Sequence, residues 1–580
     1  MNNLLSTLPL LANANQLKQA AHQLHSDLCN NPTEHEGWLK LAELANKAGL
    51  TQLQHHAQKQ YELVAYFNHR LHLANQALLT QKFDQCQQVL DALLADVPGE
   101  FRALALYAEL AIARGDNETA TEIFETLHRH NFNNLKTKHR AIQHMANAKQ
   151  FNKALQIGRT LQQQQILETP ETALAMAHSY LKLAQLEKAE HIFLQLLDQG
   201  QPKLLVMHWL GHIKAFTGNT KAAARWYQQA LTVYPEKTES YWHLANLKTY
   251  RFSEPEAKQM LELLQSPLEE QERMYLCFAV AKMKEQQQHL TESCSYYAQA
   301  NQLRYKAGRN VKVHDSLALR HYFSTQPLPK QTTAPSGLIF ILGMPRTGST
   351  LLEQMLSSHP EIDASYELSE ISAIARNLES RKQDNSPYGL AHLDSKQRNA
   401  LAKRYLDYVA PLRQQGRYLI DKLPANCNHI GLIKTLFPDA KIIETTRDPI
   451  AAGWSLYRHL FSEGHLYAND LQEIGQYYLD YEQMMQFWRS QLGSSLFTVK
   501  YEELVEKPES TLGQLLEYMG LEFDPDCLQF YQSQRAVLTP STMQVRQPLY
   551  RSAISGWQQV SDFLEPLINT VRSSRPTTLN

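Results

Sequence analysis

The first half of the chain repeats itself with a period near 34 residues, and no other feature of the sequence constrains the fold more. Small residues recur at this period in two registers, and successive members of the second register are 34 or 35 residues apart. The first register is Ala74, Ala108, Ala177, Gly211, Ala245 and Ala279, and the second is Cys86, Ala120, Ala154, Ala189, Ala223 and Ala257. Small residues allow helices to approach closely, so each period predicts a pair of packed helices.

The repeated unit has the pattern of a tetratricopeptide repeat. Its clearest copy runs from Trp209 to Pro235 and carries Gly211, Gly218 and Tyr227 at the expected offsets. One unit cannot bury its apolar face alone, so we expect seven or eight units, from about Trp38 to Arg304, to stack into an all-α solenoid. Its groove is expected to bind a peptide or protein; a spacer or a dimerisation surface is the alternative. Histidines along the array, such as His139, His208 and His212, are interpreted as packing residues and not as metal ligands.

The composition changes along the chain and predicts five segments. Residues 1–36 are expected to form an N-terminal helical cap, and residues 37–310 the solenoid. Residues 311–336, which include TQPLPKQTTAPSG, are expected to be a helical and Pro-rich joint. Residues 337–572 alternate apolar strand-like runs with long helical segments, which predicts an α/β domain with a parallel sheet. Residues 573–580 are expected to be a disordered tail. A cut at the joint is expected to expose a single interface.

Charge and cysteine usage exclude several classes of protein. The 57 Lys and Arg residues nearly balance the 58 Asp and Glu residues, so no global field favours nucleic acid. The six cysteines form no CxxC pair, which disfavours a zinc site and a disulfide framework. The N-terminus lacks a basic leader region, and no apolar run reaches the roughly 18 residues that span a membrane. We therefore expect a cytoplasmic protein; the oligomeric state is left open.

A strand, a glycine turn and a helix start follow one another in LIFILGMPRTGSTLLEQMLSSHP, from Leu338 to Pro360. Gly343 and Gly348 allow the backbone to fold tightly around an anion, and Ser349 and Thr350 add hydroxyl donors at the first helical turn. The spacing nearly matches the Walker A motif, but Ser349 replaces its lysine, which argues against a nucleoside triphosphatase. The segment therefore predicts a phosphate-type anion site; a turn that only tightens the joint is the alternative.

The residues Pro345, Arg346, Thr347, Gly348, Ser349 and Thr350 carry a family resemblance. Followed by an amphipathic helix and HPEI, they resemble the 5′-phosphosulfate loop of sulfotransferases that use 3′-phosphoadenosine 5′-phosphosulfate. The chain is particularly similar to tyrosylprotein sulfotransferases and to bacterial sulfotransferases with tetratricopeptide repeats. This resemblance spans about residues 337–560 and implies a P-loop-like parallel-sheet sulfotransferase fold, that donor as co-substrate, and no metal.

A second anion site is predicted at KIIETTRDPIAAGWSLYRHLF. Ser455 follows Arg447 by eight residues, and in sulfotransferases this arginine and serine bind the 3′-phosphate. The resemblance also assigns Tyr501 to the adenosine side of the donor. It places Arg551 in a basic loop that closes on the 3′-phosphate.

The resemblance implies the catalytic roles as well. Glu367 stands 21 residues after Arg346, where tyrosylprotein sulfotransferases carry the glutamate base. Glu370 and His359 are the competing bases, because proton transfer needs one placed acceptor group. Lys422 matches the lysine that neutralises charge on the leaving oxygen, and Arg346 is expected to hold the transferred group. Ser541 corresponds to a serine that donates to the phosphosulfate.

The sequence therefore predicts a sulfotransferase that moves a sulfuryl group onto a hydroxyl by in-line transfer. A protein tyrosine is the favoured acceptor, although Tyr366 and Leu368 replace the glutamate and threonine that the family often has beside the base. A glycan, lipid or small-molecule acceptor is the first alternative. A repeat scaffold whose domain binds nucleotide without turnover is the second.

Overall fold

The computed structural model describes most of the chain. The described residues are 14–30, 34–132, 134–163, 169–200, 203–306, 316–326, 328, 335–381, 386–461, 465–533, 535–539, 542 and 544–573. Most of the expected disordered tail and the first 13 residues of the expected cap lie outside these ranges.

Paired helices fill the first half of the described chain. Helices α1 to α16 are Ala14–Asn30, His35–Lys47, Thr51–Leu79, Phe83–Asp96, Phe101–Ala113, Asn117–Arg129, Leu135–Asn147, Phe151–Gln163, Pro170–Lys182, Leu186–Asp198, Lys203–Phe216, Thr220–Val233, Glu239–Asn246, Glu254–Gln265, Glu270–Gln286 and Leu290–Lys306. The predicted all-α array is therefore confirmed, and both small-residue registers are buried except for the half-buried Ala257. Gly211 shows why the register is small, because a Cβ atom there would collide with the ring of Tyr227.

One helix departs from the pairing of short helices. Thr51–Leu79 is 29 residues long, about twice the length of the helices that follow it. Its sequence contains neither glycine nor proline, so nothing in it ends the helix between its two halves. The period of 34 residues is therefore realised here as one continuous helix.

Left-handed residues recur at the helix-to-helix turns. Gly49, Gly115 and Gly218 have positive φ values, as the turn requires. Gln81, Lys149 and Ala184 take the same conformation at the corresponding turns, with φ between 55° and 62°. A side chain destabilises this conformation, so packing of the flanking helices holds these three turns in place.

A five-stranded parallel sheet forms the core of the second half. Strands β1 to β5 are Leu338–Gly343, Ile362–Ala364, Tyr418–Lys422, Lys441–Thr446 and Leu496–Lys500, in the order β2-β3-β1-β4-β5. Helices α17 to α27 are Ser316–Thr325, Ser349–Leu356, Glu370–Arg381, Ser395–Val409, Ile430–Leu436, Pro449–Tyr457, Leu471–Leu492, Tyr501–Glu506, Pro508–Met519, Ser552–Ser555 and Glu565–Ser573. The predicted α/β architecture is confirmed. The apolar runs from which strands are predicted lie in β1, β3, β4 and β5; they are Leu338–Leu342, Tyr418–Ile420, Lys441–Thr446 and Leu496–Val499.

Both faces of the sheet are covered, as a parallel sheet requires. Phe340 on β1 belongs to one hydrophobic core, and its neighbours Ile339 and Ile341 belong to the other. The alternation follows from the two-residue period of a strand. The continuous apolar run Leu338–Leu342 is thus explained by burial on both sides.

The core on the Phe340 face continues into the last repeats. It includes Trp242, Phe278 and Tyr297 from the repeat helices together with Trp454 from α22. The chain divides into two compact units, Met1–Met176 and Ala177–Asn580, so the repeats from residue 177 onward belong to the same unit as the sheet. A cut at the Pro-rich joint would therefore split a shared core, contrary to the expected single interface.

Two further expectations concern membrane-spanning segments and disulfide bonds. No described helix is both long enough and apolar enough to cross a membrane. All six cysteines are free.

Candidate active site

The candidate residues lie at the carboxyl ends of four neighbouring strands. In the sheet, Ile341 on β1 is paired with Lys422 on β3, and Gly343 on β1 is paired with Thr445 on β4. Thr446 is paired with Lys500, the last residue of β5. The loops that follow these strands therefore meet at one edge of the sheet, where ligands of parallel sheets bind.

The loop after β1 has the backbone conformation of a tight anion cradle. Gly343 has φ +146°, and a Cβ atom there would lie 2.5 Å from the carbonyl oxygen of Thr445. Gly348 has φ +96°, and a Cβ atom there would lie 2.6 Å from the Tyr501 ring. Arg346 takes φ +69° without being glycine. The loop needs both glycines, and Arg346 is held in a strained conformation of the kind found at functional sites.

Hydroxyl groups fasten this loop to its surroundings. The Thr347 hydroxyl donates to the Met344 carbonyl at 2.7 Å and lies 2.8 Å from the Thr445 hydroxyl. Thr350 Oγ1 lies 3.3 Å from the hydroxyl of Thr539. Ser349 is buried at the first turn of α18, and Pro345 lies within the loop. The helix amides at this end are positioned to face an anion.

The two predicted anion sites are adjacent. Arg346 Nε donates to the Ser455 hydroxyl at 3.0 Å, and Arg447 Nη1 donates to the carbonyl oxygen of Arg346 at 3.0 Å. The Arg447 guanidinium lies 4.6 Å from the centroid of the Tyr501 ring, and it also donates to the Ala553 carbonyl. Arg447 Nε is buried, and no described residue gives it a hydrogen-bond partner. An unpartnered donor at this position is available to a ligand oxygen.

Concentrated positive charge marks this part of the site. Burial, followed by the charges of Arg447 and Arg458, lowers the pKa of Arg346 to about 10. Burial also lowers the pKa of Arg447. Such shifts mean that burial and mutual repulsion destabilise the cationic forms, and a bound anion would offset this cost.

Lys422 and Glu367 form a close pair beside the loop. Lys422 Nζ donates to Glu367 Oε1 at 2.6 Å and lies 3.6 Å from Glu353 Oε2. Glu353 stands on α18, one turn after Ser349, and it also accepts from both terminal nitrogens of Arg535 at 3.1 Å. Burial opposes the charge of Lys422, but Glu367 and Glu353 together raise its pKa. Lys422 therefore remains protonated, and the Glu367 side chain is partly exposed to solvent.

The two rival bases have other partners. The Glu370 carboxylate is buried and accepts from Arg404 Nε at 3.0 Å. His359 Nε2 lies 3.1 Å from the Glu522 carbonyl, and its Nδ1 accepts from the Glu361 amide at 3.1 Å. Both ring nitrogens of His359 are engaged, which disfavours His359 as the base.

Asp421, next to Lys422, is buried at the end of β3. Its Oδ2 accepts from the Tyr405 hydroxyl at 2.6 Å, and its Oδ1 accepts from the Asn426 amide at 3.3 Å. Burial raises the pKa of Asp421 to about 7. The carboxyl group thus fixes the strand end from which Lys422 projects.

Two predicted residues are not brought into this cluster. Ser541 lies outside the described residues. Arg551 is exposed, and its side chain has neither a hydrogen bond nor an ion pair within the described chain. Their assigned roles stay predictions.

Sequence reasoning missed Glu353, Arg535 and Gln544. Gln544 accepts from Arg346 Nη2 at 3.2 Å, and Arg535 lies 4.8 Å from the centroid of the Tyr366 ring. Glu353 follows Ser349 by four residues, so its position on the loop's own helix is the one signal that could have identified it. Arg535 and Gln544 follow no spacing that the sequence analysis could have used.

A histidine group in the repeats has the geometry of a possible cation site. Ligand atoms of His208, Glu239 and His243 lie within 4.8 Å of one another. His208 Nε2, however, lies 2.7 Å from the Ser240 hydroxyl, just as His139 Nδ1 lies 2.9 Å from the Thr172 hydroxyl in an earlier repeat. The recurring hydrogen bond explains the position of His208 as packing between repeats.

Family models match two parts of the chain. The model of the sulfotransferase family matches residues 338–525, and a tetratricopeptide-repeat model matches residues 205–237. The first match begins at β1 and contains Arg346, Glu367, Lys422, Arg447 and Ser455.

Individual relatives share about a quarter of their residues with the chain. An uncharacterised protein of Aquifex aeolicus (strain VF5) is 27% identical over 394 residues, which are 63% of this chain and 50% of the relative. Protein-tyrosine sulfotransferase 2 of Gallus gallus is 25% identical over 236 residues, which are 38% of this chain and 62% of the relative. The chain thus spans less than two thirds of the length of these curated relatives. A solved sulfotransferase domain from the curacin biosynthetic pathway is 19% identical, with a TM-score of 0.29, and covers 42% of this chain and 100% of that domain.

Proposed function

Because residues 338–525 belong to a domain of the sulfotransferase family and tetratricopeptide repeats precede it, as predicted, we propose that the protein is a sulfotransferase. Its donor is 3′-phosphoadenosine 5′-phosphosulfate, and its acceptor is a hydroxyl group, with a protein tyrosine favoured. Relatives named as protein-tyrosine sulfotransferases support this acceptor. The repeats, in this proposal, bind the polypeptide that carries the tyrosine.

The observation that carries the proposal is the Lys422–Glu367 pair, 2.6 Å apart, next to the glycine loop. A sulfuryl transfer needs a base for the attacking hydroxyl and a cation for the leaving oxygen. The pair supplies both groups, and Glu353 ties it to the helix that starts at the loop. An anion site without chemistry would need only the cations.

The proposed reaction is an in-line displacement at sulfur. The acceptor oxygen forms a bond to sulfur while the bond from sulfur to the bridging phosphate oxygen breaks, and that oxygen keeps the electron pair. Glu367 takes the proton of the acceptor hydroxyl, and Lys422 neutralises the bridging oxygen as it leaves. Arg346 and the amides of the loop hold the phosphosulfate. The products are the sulfated acceptor and adenosine 3′,5′-bisphosphate.

Donor binding is assigned to two groups of residues. Residues 343–350 hold the 5′-phosphosulfate, and Arg447 and Ser455 hold the 3′-phosphate, with the unpartnered Arg447 Nε as one donor. Tyr501 lies beside Gly348 and Arg447, where the adenosine would pass. Charge-assisted hydrogen bonds of this kind are the strong ones in phosphate recognition.

Incubation with a ³⁵S-labelled phosphosulfate donor tests the proposal directly. The full-length protein is mixed with cell extract or with tyrosine-containing peptides, and labelled products are identified by mass spectrometry. Label on tyrosine supports the full proposal. Label on a glycan, lipid or small molecule would mean that this compound, and not tyrosine, is the acceptor. Binding of adenosine 3′,5′-bisphosphate without any labelled product would instead indicate a nucleotide-binding scaffold.

A further inference from the structure

The repeat helices contact the end of the helix that carries Ser455. Helix α22 ends at Tyr457, whose carbonyl oxygen accepts from the Asn301 amide of α16 at 2.9 Å. The next residue, Arg458, forms an ion pair with Glu285 of α15. The ring of His459 lies 6.2 Å from the ring of Trp242 on α13. Repeat residues 239–306 therefore line the same part of the molecule as the predicted 3′-phosphate motif.

Two lysines of these repeats lie in this region, and no described carboxylate pairs with either of them. Lys282 stands on α15, one turn before Glu285, and its ammonium group lies 5.7 Å from the Trp242 ring centroid. Lys248 follows α13 closely. Neither ammonium group has a hydrogen bond or an ion pair to any residue that the structure describes. A lysine on a fully solvated surface needs no partner, but both of these lysines are half-buried.

Both lysines are half-buried, and other cations surround them. Burial, and then the charges of Arg346, Lys282 and Arg458, lowers the pKa of Lys248 well below its usual value. Burial lowers the pKa of Lys282 to about 8, with Arg458 and Arg346 adding to this effect and Glu285 opposing it. The loop arginine of the sulfotransferase-family domain is thus within electrostatic reach of both repeat lysines.

The balance of charge in this region is strongly positive. Lys248, Lys282, Arg346 and Arg458 are four cations, and Glu285 is the carboxylate that offsets the charge of both lysines. Buried charges are normally paired, because an unpaired one loses its hydration without compensation. A region with this excess of cations fits a ligand with several negative charges. The proposed donor, with two phosphates and one sulfate, is such a ligand.

We propose that Lys248 and Lys282 bind phosphate or sulfate oxygens of the donor, so that the repeats complete the nucleotide site. The inference rests on the proposed function. It goes beyond that function because it assigns part of donor recognition to the tetratricopeptide array. The lysines act as binding residues, and the donor is held between the sheet edge and the last repeats.

Calorimetry on the full-length protein tests this assignment with Lys248→Met and Lys282→Met. Methionine keeps most of the length of the side chain and removes its charge. The matched control is Lys284→Met, since Lys284 lies on the same helix as Lys282 but forms an ion pair with Glu292 at 2.7 Å. The probes are adenosine 3′,5′-bisphosphate and adenosine 5′-phosphosulfate, which lacks the 3′-phosphate.

Each test variant is expected to weaken binding of at least one probe roughly tenfold, the usual effect of one charge-assisted hydrogen bond. Weaker binding of the bisphosphate alone would place the lysine at the 3′-phosphate, and weaker binding of both probes would place it at the 5′ end. The unliganded variants should also unfold at a higher temperature than wild type, because each loses a half-buried charge that repels the neighbouring cations. The control should bind both probes within about twofold of wild type.

Unchanged affinity for both probes in correctly folded variants would overturn the assignment, and so would a raised acceptor KM with unchanged donor binding. If the wild-type protein binds neither probe, the proposed function fails and this inference fails with it. The two failures are therefore distinguishable by the wild-type titration.

Discussion

Replacing Glu367 with glutamine tests the chemistry of the site most directly. The amide keeps the shape of the side chain and can still accept the hydrogen bond from Lys422 through its oxygen. It cannot take a proton from an acceptor hydroxyl at neutral pH. Glu367→Gln therefore removes the proposed base and leaves the rest of the site in place.

The expected loss of turnover follows from general-base catalysis. Positioned bases contribute at least about 10²-fold, which corresponds to about 2.7 kcal/mol of the activation barrier. The cost in stability should be small, within about 1 kcal/mol, because the Glu367 side chain is 38% exposed and Lys422 retains Glu353 at 3.6 Å. Donor affinity should stay within about twofold of wild type, since the anion-binding groups are untouched.

Glu370→Gln is the matched control, because it makes the same change three residues away. The Glu370 side chain is 4% exposed and its charge pairs with Arg404, so this variant should lose about 1–2 kcal/mol of stability. Its turnover should fall by no more than about threefold. Glu367→Gln is thus expected to lose mainly activity, and Glu370→Gln mainly stability.

The assay combines single-turnover sulfuryl transfer with calorimetric binding of adenosine 3′,5′-bisphosphate and thermal unfolding. Single-turnover conditions separate the chemical step from product release. The reasoning is refuted if Glu370→Gln is the inactive variant and Glu367→Gln retains turnover. A Glu367→Gln variant that loses donor binding would show instead that the pair builds the nucleotide site.

Three further predictions test other parts of the structure. Arg447→Ala should weaken adenosine 3′,5′-bisphosphate binding by about 2 kcal/mol or more in calorimetry, since a buried phosphate loses a charged donor, and an unchanged affinity would remove Arg447 from the site. Ala184→Gly should raise stability by roughly 0.5–1 kcal/mol in thermal unfolding because glycine relieves the left-handed turn at φ 55°; a lower melting temperature would contradict this. The folded-state pKa of Asp421 is raised to about 7, so between about pH 4 and pH 7 the folded protein keeps this proton while the unfolded chain releases it. The free energy of unfolding therefore falls as pH rises through this range. The stability of Asp421→Asn relative to wild type should accordingly improve by about 2 kcal/mol between pH 5 and pH 8, and a pH-independent difference would show that Asp421 does not titrate there.

Features of the fold that depend on a local pattern of residues can be predicted from the sequence. The 34-residue period is visible because every unit packs the same small positions, and both registers are buried apart from the half-buried Ala257. The glycines of the loop are recognisable because the backbone there needs φ values that side chains disfavour. Strand β2 was missed because three residues, Ile362–Ala364, are too few to show a period.

Contacts between distant segments leave no such pattern. Glu353 and Arg535 are 182 residues apart and meet only because the fold brings α18 and the segment after α25 together. Nothing local in the sequence indicates that Lys248 and Lys282 interact electrostatically with Arg346. The same limit explains the joint: its prolines predict a break in the chain, but the shared core that crosses it depends on the packing of Trp242 and Phe278.

The core shared by the last repeats and the sheet also determines which parts of the chain are free to change. A change of repeat number within residues 177–306 would disturb the packing under Phe340, whereas the compact unit Met1–Met176 has its own internal core. Evolution or engineering can therefore lengthen, shorten or exchange repeats upstream of residue 177 while the catalytic unit keeps its interior. The boundary itself lies inside α9, Pro170–Lys182, so a new recognition module would be joined at a helix-to-helix turn upstream of that helix.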